Sequence, residues 1–297
     1  MLEPRTVSDY SKEVTEASKS VLLEVMTVVG EYSPAIVLIG GWTPYYLLHS
    51  RLAFDGTEPL AFGAGKFRHA GSIDIDLAVD PAKITGEEYS TIIKLLEKRG
   101  YTPDKEIKFR WNRAMPRIDG PIGVDFLTTK PPLGQGRARR HREVQADLPA
   151  RATDHLELAF RWNEPFMLEG ELPEKGGRTR VEIKIASLPA IVGLKGLALG
   201  NRYKEKDAYD IYALCRHYRA EVSDTTEILK PHVGLDGLKE GMGCIRAKFT
   251  TVKDAGPAWV AKFFDAASPE DESRIAQDAF QTLDRVLRGC GLPQGAA

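Results

Sequence analysis

The spacing of hydrophobic and polar residues changes once along the chain, near residue 187. In the N-terminal part, residues 8–30 repeat apolar side chains close to every 3.6 positions, which predicts an amphipathic helix. Short apolar or alternating segments follow and predict strands separated by turns. From Ser187, a plausible cap, through Pro189 to Gly289 the spacing is helical almost throughout. The pattern predicts an α+β fold, with a mixed sheet and helices in 1–186 and an all-helical domain in 187–297.

The predicted elements of the first domain alternate between helices and strands. They are a helix at 8–30, a strand at 35–39, a helix at 43–51, a loop or insertion at 52–70, a strand at 72–79, a helix at 86–99 ended by Gly100, strands at 107–111 and 122–127, a mobile basic loop at 130–142, and strands at 155–160 and 178–185.

Composition narrows the class of protein. The chain has 297 residues, with 41 Lys and Arg against 42 Asp and Glu, so its formal net charge of -1 excludes a globally basic nucleic-acid coat. Its 42% of hydrophobic residues is enough for a buried core. Three cysteines are too few for a disulfide framework. We find no secretory signal and no apolar stretch near the roughly 20 residues of a membrane span, which predicts a cytoplasmic protein without a membrane partner.

Two aspartates stand two positions apart in the predicted strand 72–79. Residues two apart in a strand point to the same face, so Asp74 and Asp76 are expected to be neighbours. A divalent cation between them would relieve their repulsion, and Mg²⁺ is typically held by few carboxylates plus substrate phosphates. The apolar run that ends in Gly40 and Gly41 lies upstream and favours this metal interpretation over a strand with a wet face.

A third aspartate, Asp125, lies inside the apolar strand 122–127. A carboxylate buried there without a partner would be costly, so Asp125 either completes a metal clamp with Asp74 and Asp76 or faces solvent at a strand end.

The helical half begins with a charged cluster. Lys195 is the only charge between Ser187 and Asn201, and Arg202 follows seven residues later, so both project to one side if the helix continues past Gly200. Such cations suit a triphosphate. Asp207 and Asp210 share one helix face, and a solvated, salt-bridged helix start is the simpler alternative for them.

Basic residues concentrate between 105 and 142, where ten Lys or Arg face three acidic residues. This excess favours a polyanion partner, with Phe109 and Trp111 available for base stacking. A solvated loop is the simpler alternative.

These motifs together resemble the nucleotidyltransferase fold, with a hydrophobic-Gly-Gly turn, an Asp-x-Asp pair and a third Asp on an adjacent strand. The segment Lys195–Arg202 and the Lys206-Asp207-x-x-Asp210 element are similar to those of the AbiEii/MenT-like nucleotidyltransferases, toxins of type IV-like toxin–antitoxin and phage-defence systems. The likeness covers about residues 35–215. Trp42 stands where this fold often has Ser or Thr, and the interval from Gly41 to Asp74 is long.

The resemblance implies an activity and a set of site residues. The protein would transfer a nucleoside monophosphate from a nucleoside triphosphate (NTP) to an acceptor, foremost the tRNA 3′ end, with Mg²⁺ or Mn²⁺, and would have a cognate antitoxin. The helical domain would complete the nucleotide cleft. The implied site residues are metal ligands Asp74, Asp76 and Asp125; nucleotide contacts Gly40, Gly41, Thr43, Ser72, Lys195 and Arg202; and catalytic Asp74, Asp76, Asp125, Lys195 and Asp207, with Asp207 a candidate base.

Several alternatives stay open from the sequence. Either Asp125 or Asp207 could supply the third carboxylate of the site. Gly40-Gly41-Trp42 and the Arg68-His69 pair are somewhat similar to lincosamide-type enzymes, so an antibiotic is the alternative acceptor. A catalytically inactive nucleotide- or partner-binding protein is the alternative of a different class.

Overall fold

The computed structural model describes residues 5–49, 67–84, 86–130, 141–145 and 148–294. They form two compact units. The first consists of Ser11–Thr43 and Ser72–Ser187. The second consists of the described residues of Leu2–Tyr10, Pro44–Gly71 and Leu188–Ala297.

The described strands form one mixed sheet in the first unit. They are β1 Ile36–Ile39, β2 Ile75–Val79, β3 Thr102–Pro103, β4 Arg110–Arg113, β5 Ile122–Thr129, β6 His141–Gln145, β7 Leu148–Thr153, β8 Asn163–Glu171 and β9 Arg178–Ala186. Their order is β3-β4-β5-β2-β1-β9-β8, with β7 paired to β5 and β6 to β7. The pairs β1–β9, β2–β5 and β5–β7 are parallel, and the others are antiparallel.

Helices lie in both parts of the chain, and the elements described from Leu188 onward are helical. The helices are α1 Lys12–Val28, α2 Trp42–His49, α3 Gly86–Lys98, α4 Glu157–Arg161, α5 Leu188–Asn201, α6 Glu205–His217, α7 Val222–Leu229, α8 Asp236–Lys248, α9 Ala255–Phe263 and α10 Pro269–Gly289. The prediction of an α+β fold with helices in the C-terminal part is confirmed.

The core of the first unit lies at its central strands. All four residues of β1 are buried, and β5 is buried from Ile122 to Thr128. Helix α1 starts at Ser11, whose hydroxyl accepts a hydrogen bond from the Val14 N–H. Its buried stripe packs on β8 and β9, because apolar residues at helical spacing line one face. The sheet therefore holds its polar residues at fixed positions on rigid strands.

In the second unit, α5 packs against α8 with almost no side chains between the two backbones. A Cβ at Gly196 would lie 2.3 Å from the carbonyl oxygen of Gly241, and a Cβ at Gly241 would lie 2.3 Å from that of Gly193. Glycine is therefore required at this crossing. Because α5 is apolar on every side, it is buried along nearly its whole length, including Lys195.

Three predicted elements are wrong or displaced. Residues 155–160 form a turn and helix α4, because six alternating positions cannot distinguish a strand from a helical turn, and Leu158 and Ala159 are buried consecutively. The strand predicted at 107–111 begins only at Arg110. Residues 141 and 142, predicted in a mobile loop, belong to β6.

Four strands have no counterpart among the predicted elements. They are β3, β6, β7 and β8, whose sequences carry many charged or proline residues. Positions 50–66 and 131–140, predicted as loops, lie outside the residues that the structure describes. Within the described part of the chain, no helix has both the length and the apolar character needed to cross a membrane.

Candidate functional site

Neighbouring strands bring together the aspartates of the first unit. In the sheet register Ile39 lies opposite Asp76, and Asp76 lies beside Asp125. Asp74 precedes β2, so the prediction that it lies inside the strand is wrong. Its side chain is 46% exposed, and its carboxylate accepts a hydrogen bond from the Ser72 hydroxyl at 3.1 Å. Asp76 and Asp125 are thus adjacent on the sheet.

The Gly-Gly turn after β1 closes directly onto one of these carboxylates. Gly40 has a φ of +70°, and a Cβ at this position would lie 2.0 Å from Oδ2 of Asp76. Only glycine leaves room for the carboxylate against the backbone and adopts this left-handed conformation without strain. The predicted turn is confirmed, and it contacts the second aspartate of the Asp-x-Asp pair.

The side chains after the glycines face inward. Trp42 is fully buried, and its indole N–H donates to the Ser18 hydroxyl at 3.0 Å. The Thr43 hydroxyl is buried and donates to the Leu38 carbonyl at 3.0 Å. The expected nucleotide contact of Thr43 would therefore have to use its backbone N–H. The first N–H groups of a helix have no partner within the helix, and both residues open α2.

The partner of the buried Asp125 is the half-buried Arg110, which the sequence motifs do not mark as a site residue. The two residues lie opposite each other in the antiparallel pair of β4 and β5. Arg110 donates to both carboxylate oxygens, from Nε at 2.6 Å and from Nη2 at 2.8 Å. A Cβ at Gly123 would lie 3.0 Å from its Nε, so glycine there makes room for the guanidinium. Arg110 Nη2 also lies 3.6 Å from Oδ2 of Asp74.

This ion pair sets the charges of the site. Burial raises the pKa of Asp125, and the hydrogen bonds and charge of Arg110 oppose that rise. The hydrogen bond to Asp125 raises the pKa of Arg110, so the guanidinium stays charged. Asp125 is therefore neutralised from within the protein, whereas Asp74 remains about half exposed.

The donor set suits a divalent cation that arrives with phosphates. Among the residues that the structure describes, no group of three or more His, Cys, Asp or Glu side chains could hold a metal ion. Arg110 binds both oxygens of Asp125 and lies 3.6 Å from Asp74, so Asp74 and Asp76 are the carboxylates that a cation would use here. Mg²⁺ is often bound by one or two carboxylates, with substrate phosphates completing its coordination, so these two residues fit that kind of site.

The second unit contains the other predicted site residues in a buried ionic cluster. The Lys195 ammonium lies 2.9 Å from Oδ1 of Asp207 and 2.7 Å from Oδ2 of Asp210. Arg202 binds both oxygens of Asp207, from Nε at 2.7 Å and Nη2 at 3.0 Å. The predictions that Lys195 and Arg202 project to one side, and that the two aspartates share a helix face, are confirmed. Arg202 is 44% exposed, whereas the Lys195 side chain is 7% exposed.

A histidine and a second lysine complete this cluster. His69 Nε2 lies 2.9 Å from Oδ1 of Asp210, and Lys206 Nζ lies 2.5 Å from the same oxygen. The Gly71 N–H donates to Nδ1 of His69, so the proton is on Nε2 and is donated to Asp210. His69 is 141 positions from Asp210, and nothing in the sequence spacing identifies this contact.

Burial and charge pairing fix the protonation states here. Burial, reinforced by Lys206, lowers the pKa of His69 to about 3, so the imidazole is neutral near pH 7. Burial alone would raise the pKa of Asp207 and Asp210, but the nearby cations, Lys195 first, lower both. Burial alone would lower the pKa of Lys195, but Asp207 and Asp210 raise it. All three groups are held in their charged forms.

Several aromatic and basic residues that were predicted to bind RNA are buried or paired within the protein. Trp111 is 3% exposed, so the prediction that its ring is available for base stacking is wrong. Phe109 is half-buried, with the guanidinium of Arg151 over its ring at 5.7 Å. Of the basic residues counted at 105–142, Arg110 binds Asp125 and Arg113 binds Glu24.

Comparisons of the chain with models of protein families, with curated proteins and with solved structures found no match.

Proposed function

We propose that this protein is a Mg²⁺-dependent nucleotidyltransferase whose reaction is carried by the first unit. The observation that supports this most is the contact of Gly40 with the Asp76 carboxylate, in register with Asp125. A glycine turn that presents backbone N–H groups beside carboxylates can bind the phosphates of a triphosphate together with a divalent cation.

The proposed reaction is transfer of a nucleoside monophosphate to an acceptor hydroxyl. An acceptor hydroxyl attacks the α-phosphorus of the nucleoside triphosphate, the bond to the β-phosphate oxygen breaks, pyrophosphate leaves, and the hydroxyl proton passes to a base. A divalent cation bound here would supply charge neutralisation at the transferring phosphoryl group. Asp74 and Asp76 would hold it, Gly40 and Gly41 would approach the phosphates through the backbone, and Ser72 would orient Asp74. Arg110 would keep Asp125 fixed and ionised.

The roles proposed for the second unit differ in part from those that the resemblance implies. Lys195 binds two carboxylates and is buried, so its phosphate contact stays a prediction, and Arg202 is the more exposed cation of the cluster. The lowered pKa of Asp207 makes it a weak base. We therefore propose that Asp207 chiefly holds Lys195 and Arg202 in place.

The proposed acceptor is RNA, foremost the 3′ end of tRNA, and the proposed setting is a toxin with a cognate antitoxin. This part depends on the resemblance and on the basic segment 105–142, of which residues 131–140 lie outside the described chain. A small antibiotic is the alternative acceptor that the test below includes.

The test incubates the purified protein with Mg²⁺, each labelled NTP in turn, and either total tRNA or a panel of lincosamide and aminoglycoside antibiotics. We expect labelled tRNA, and loss of labelling in Asp74→Ala because a metal ligand is removed. Asp119→Ala is the matched control, since Asp119 is exposed in the same unit. Normal turnover of Asp74→Ala would contradict the proposed site, and labelling of an antibiotic alone would contradict the RNA acceptor.

A second pair of variants tests the glycine turn itself. Gly40→Ala adds a Cβ onto the Asp76 carboxylate at a positive φ, whereas Gly177→Ala adds one at a φ of +88° with nothing within 4 Å. Both carry backbone strain of about 1–2 kcal/mol. We expect only Gly40→Ala to abolish transfer, so equal activity of the two folded variants would contradict the role of this turn.

A further inference from the structure

One surface of the second unit exposes an aromatic ring among cations. Among the described residues the two exposed large hydrophobic side chains are Met167, at 49%, and Tyr203, at 74%. Tyr203 lies in the short link between α5 and α6, with Arg202 and Lys204 on either side in the sequence. Arg202 is bound by Asp207, so the feature that suits a binding surface here is the exposed tyrosine ring, which offers an apolar face and a polar end.

The backbone and side-chain contacts around Tyr203 hold its ring in place. The link is fixed at both ends, by the Arg202 N–H on the Ala198 carbonyl at 2.9 Å and by the Asp207 N–H on the Lys204 carbonyl at 3.1 Å. The edge of Trp259 meets the Tyr203 ring, with centroids 5.8 Å apart and planes at 66°. A ring fixed before binding loses little conformational entropy when a ligand stacks on it.

The charge near the rings is positive. The Lys248 ammonium lies over one face of the Tyr203 ring, 5.1 Å from its centroid, and over the Trp259 ring, 6.0 Å from its centroid. The nearby acidic residue Glu205 is already bound by Lys262. Stacking rings beside cations match the two parts of a single-stranded nucleic acid, because bases stack on aromatic faces and phosphates attract lysine and arginine.

We propose that Tyr203, Trp259 and Lys248 form a stacking surface for a single strand of RNA. An unpaired base stacks on the exposed face of Tyr203 that Lys248 does not cover, and Lys248 attracts the phosphates on either side of that base. Duplex RNA does not fit, since its bases are stacked within the helix and do not present a free face. The occupant agrees with the RNA acceptor of the proposed function, but binding at this surface requires neither nucleotide transfer nor Mg²⁺.

The experiment measures binding of labelled single-stranded and duplex RNA oligonucleotides by fluorescence anisotropy, with no NTP or Mg²⁺ present. We expect the single strand to bind more tightly, and Tyr203→Ala to weaken its binding by about 5-fold to 150-fold, the range for loss of one stacked base. Tyr203→Phe keeps the ring and is expected to bind like the unchanged protein. Thermal melting of each variant checks that the fold is intact.

Salt dependence tests the cation separately. Lys248→Gln is expected to lower the slope of log affinity against log salt by somewhat less than one unit, about the value for one phosphate contact on a single strand. Lys253→Gln, an exposed lysine in the same unit, is the matched control and should leave the slope unchanged. Equal slopes for the two variants would overturn the role of Lys248.

The outcomes distinguish this inference from the proposed function. Folded Tyr203→Ala with unchanged affinity for single-stranded RNA overturns the stacking surface, even if the protein transfers nucleotides. Tyr203-dependent RNA binding by a protein that transfers nothing supports the surface and contradicts the proposed function. Binding to anionic lipid vesicles in place of RNA would also overturn the inference.

Discussion

The pair of Arg110 and Asp125 gives the sharpest prediction for the stability of the sheet. Arg110→Ala would leave a carboxylate that is only 10% exposed without its two hydrogen-bond donors. Removing one partner of a buried ion pair costs about 3–5 kcal/mol. Because the Arg110 side chain is 25% exposed and water can replace part of it, we expect about 2–4 kcal/mol of lost unfolding free energy.

The reverse substitution should cost less. Asp125→Ala leaves a guanidinium that already reaches solvent and lies 3.6 Å from Asp74, so we expect a loss of about 1 kcal/mol. The double variant removes both charges of this pair. Its loss of unfolding free energy should therefore be smaller than the sum of the two single losses by at least about 1 kcal/mol. Arg110→Ala is expected to cost more than Asp125→Ala because the carboxylate is more deeply buried than the guanidinium, although both variants lose the same hydrogen bonds.

Urea unfolding followed by circular dichroism at pH 7 and pH 5 measures these free energies. Without Arg110, burial and the nearby charge of Asp74 outweigh the opposing charge of Arg151 and raise the pKa of Asp125 further, so the folded state takes up a proton more readily than the unfolded state. The deficit of Arg110→Ala should therefore shrink as the pH falls. Lys108→Ala, at an exposed lysine just before β4, is the control and should change stability by less than about 0.5 kcal/mol. Equal and additive single effects at pH 7 would refute the reasoning.

The same variant carries a consequence for metal binding. Arg110→Ala leaves Asp74, Asp76 and Asp125 without the cation that neutralises the third of them. We expect it to bind Mn²⁺ more tightly than the unchanged protein in the absence of nucleotide, as measured by electron paramagnetic resonance. Weaker binding would mean that Arg110 organises the carboxylates for metal.

Two further predictions concern packing and pH. Gly196→Ala places a Cβ 2.3 Å from a backbone oxygen of α8 and should lower the unfolding free energy by about 1–3 kcal/mol. Gly243→Ala, whose Cβ would have nothing within 4 Å, is the control and should raise the unfolding free energy by about 0.5–1 kcal/mol. An unchanged unfolding free energy of Gly196→Ala in urea would contradict the close crossing of α5 and α8. His69 is held neutral with a pKa of about 3, so the unfolded state binds the extra proton and stability should fall as the pH drops from about 6.5 toward 3. The urea midpoint of His69→Gln should depend less on pH over this range, and an unchanged dependence would contradict the buried neutral imidazole.

Features that depend on local pattern can be read from the sequence alone. Helical spacing predicted α1 and the C-terminal helices, because a buried stripe must recur near every 3.6 residues. The apolar run before Gly40 predicted a buried strand and a tight turn, since few other residues adopt that backbone conformation. The shared faces of Lys195 with Arg202, and of Asp207 with Asp210, also follow from helix geometry alone.

Which charged side chains contact each other depends on the packing of the folded chain. Arg110 reaches Asp125 because β4 and β5 pair in one register, and a shift of one residue would turn the two side chains to opposite faces. His69 reaches Asp210 across 141 positions of sequence. The burial of Trp111 and the exposure of Tyr203 were likewise not readable, because aromatic residues occur both in cores and on binding surfaces. Local spacing encodes which face a residue takes, whereas register and packing decide what that face contacts.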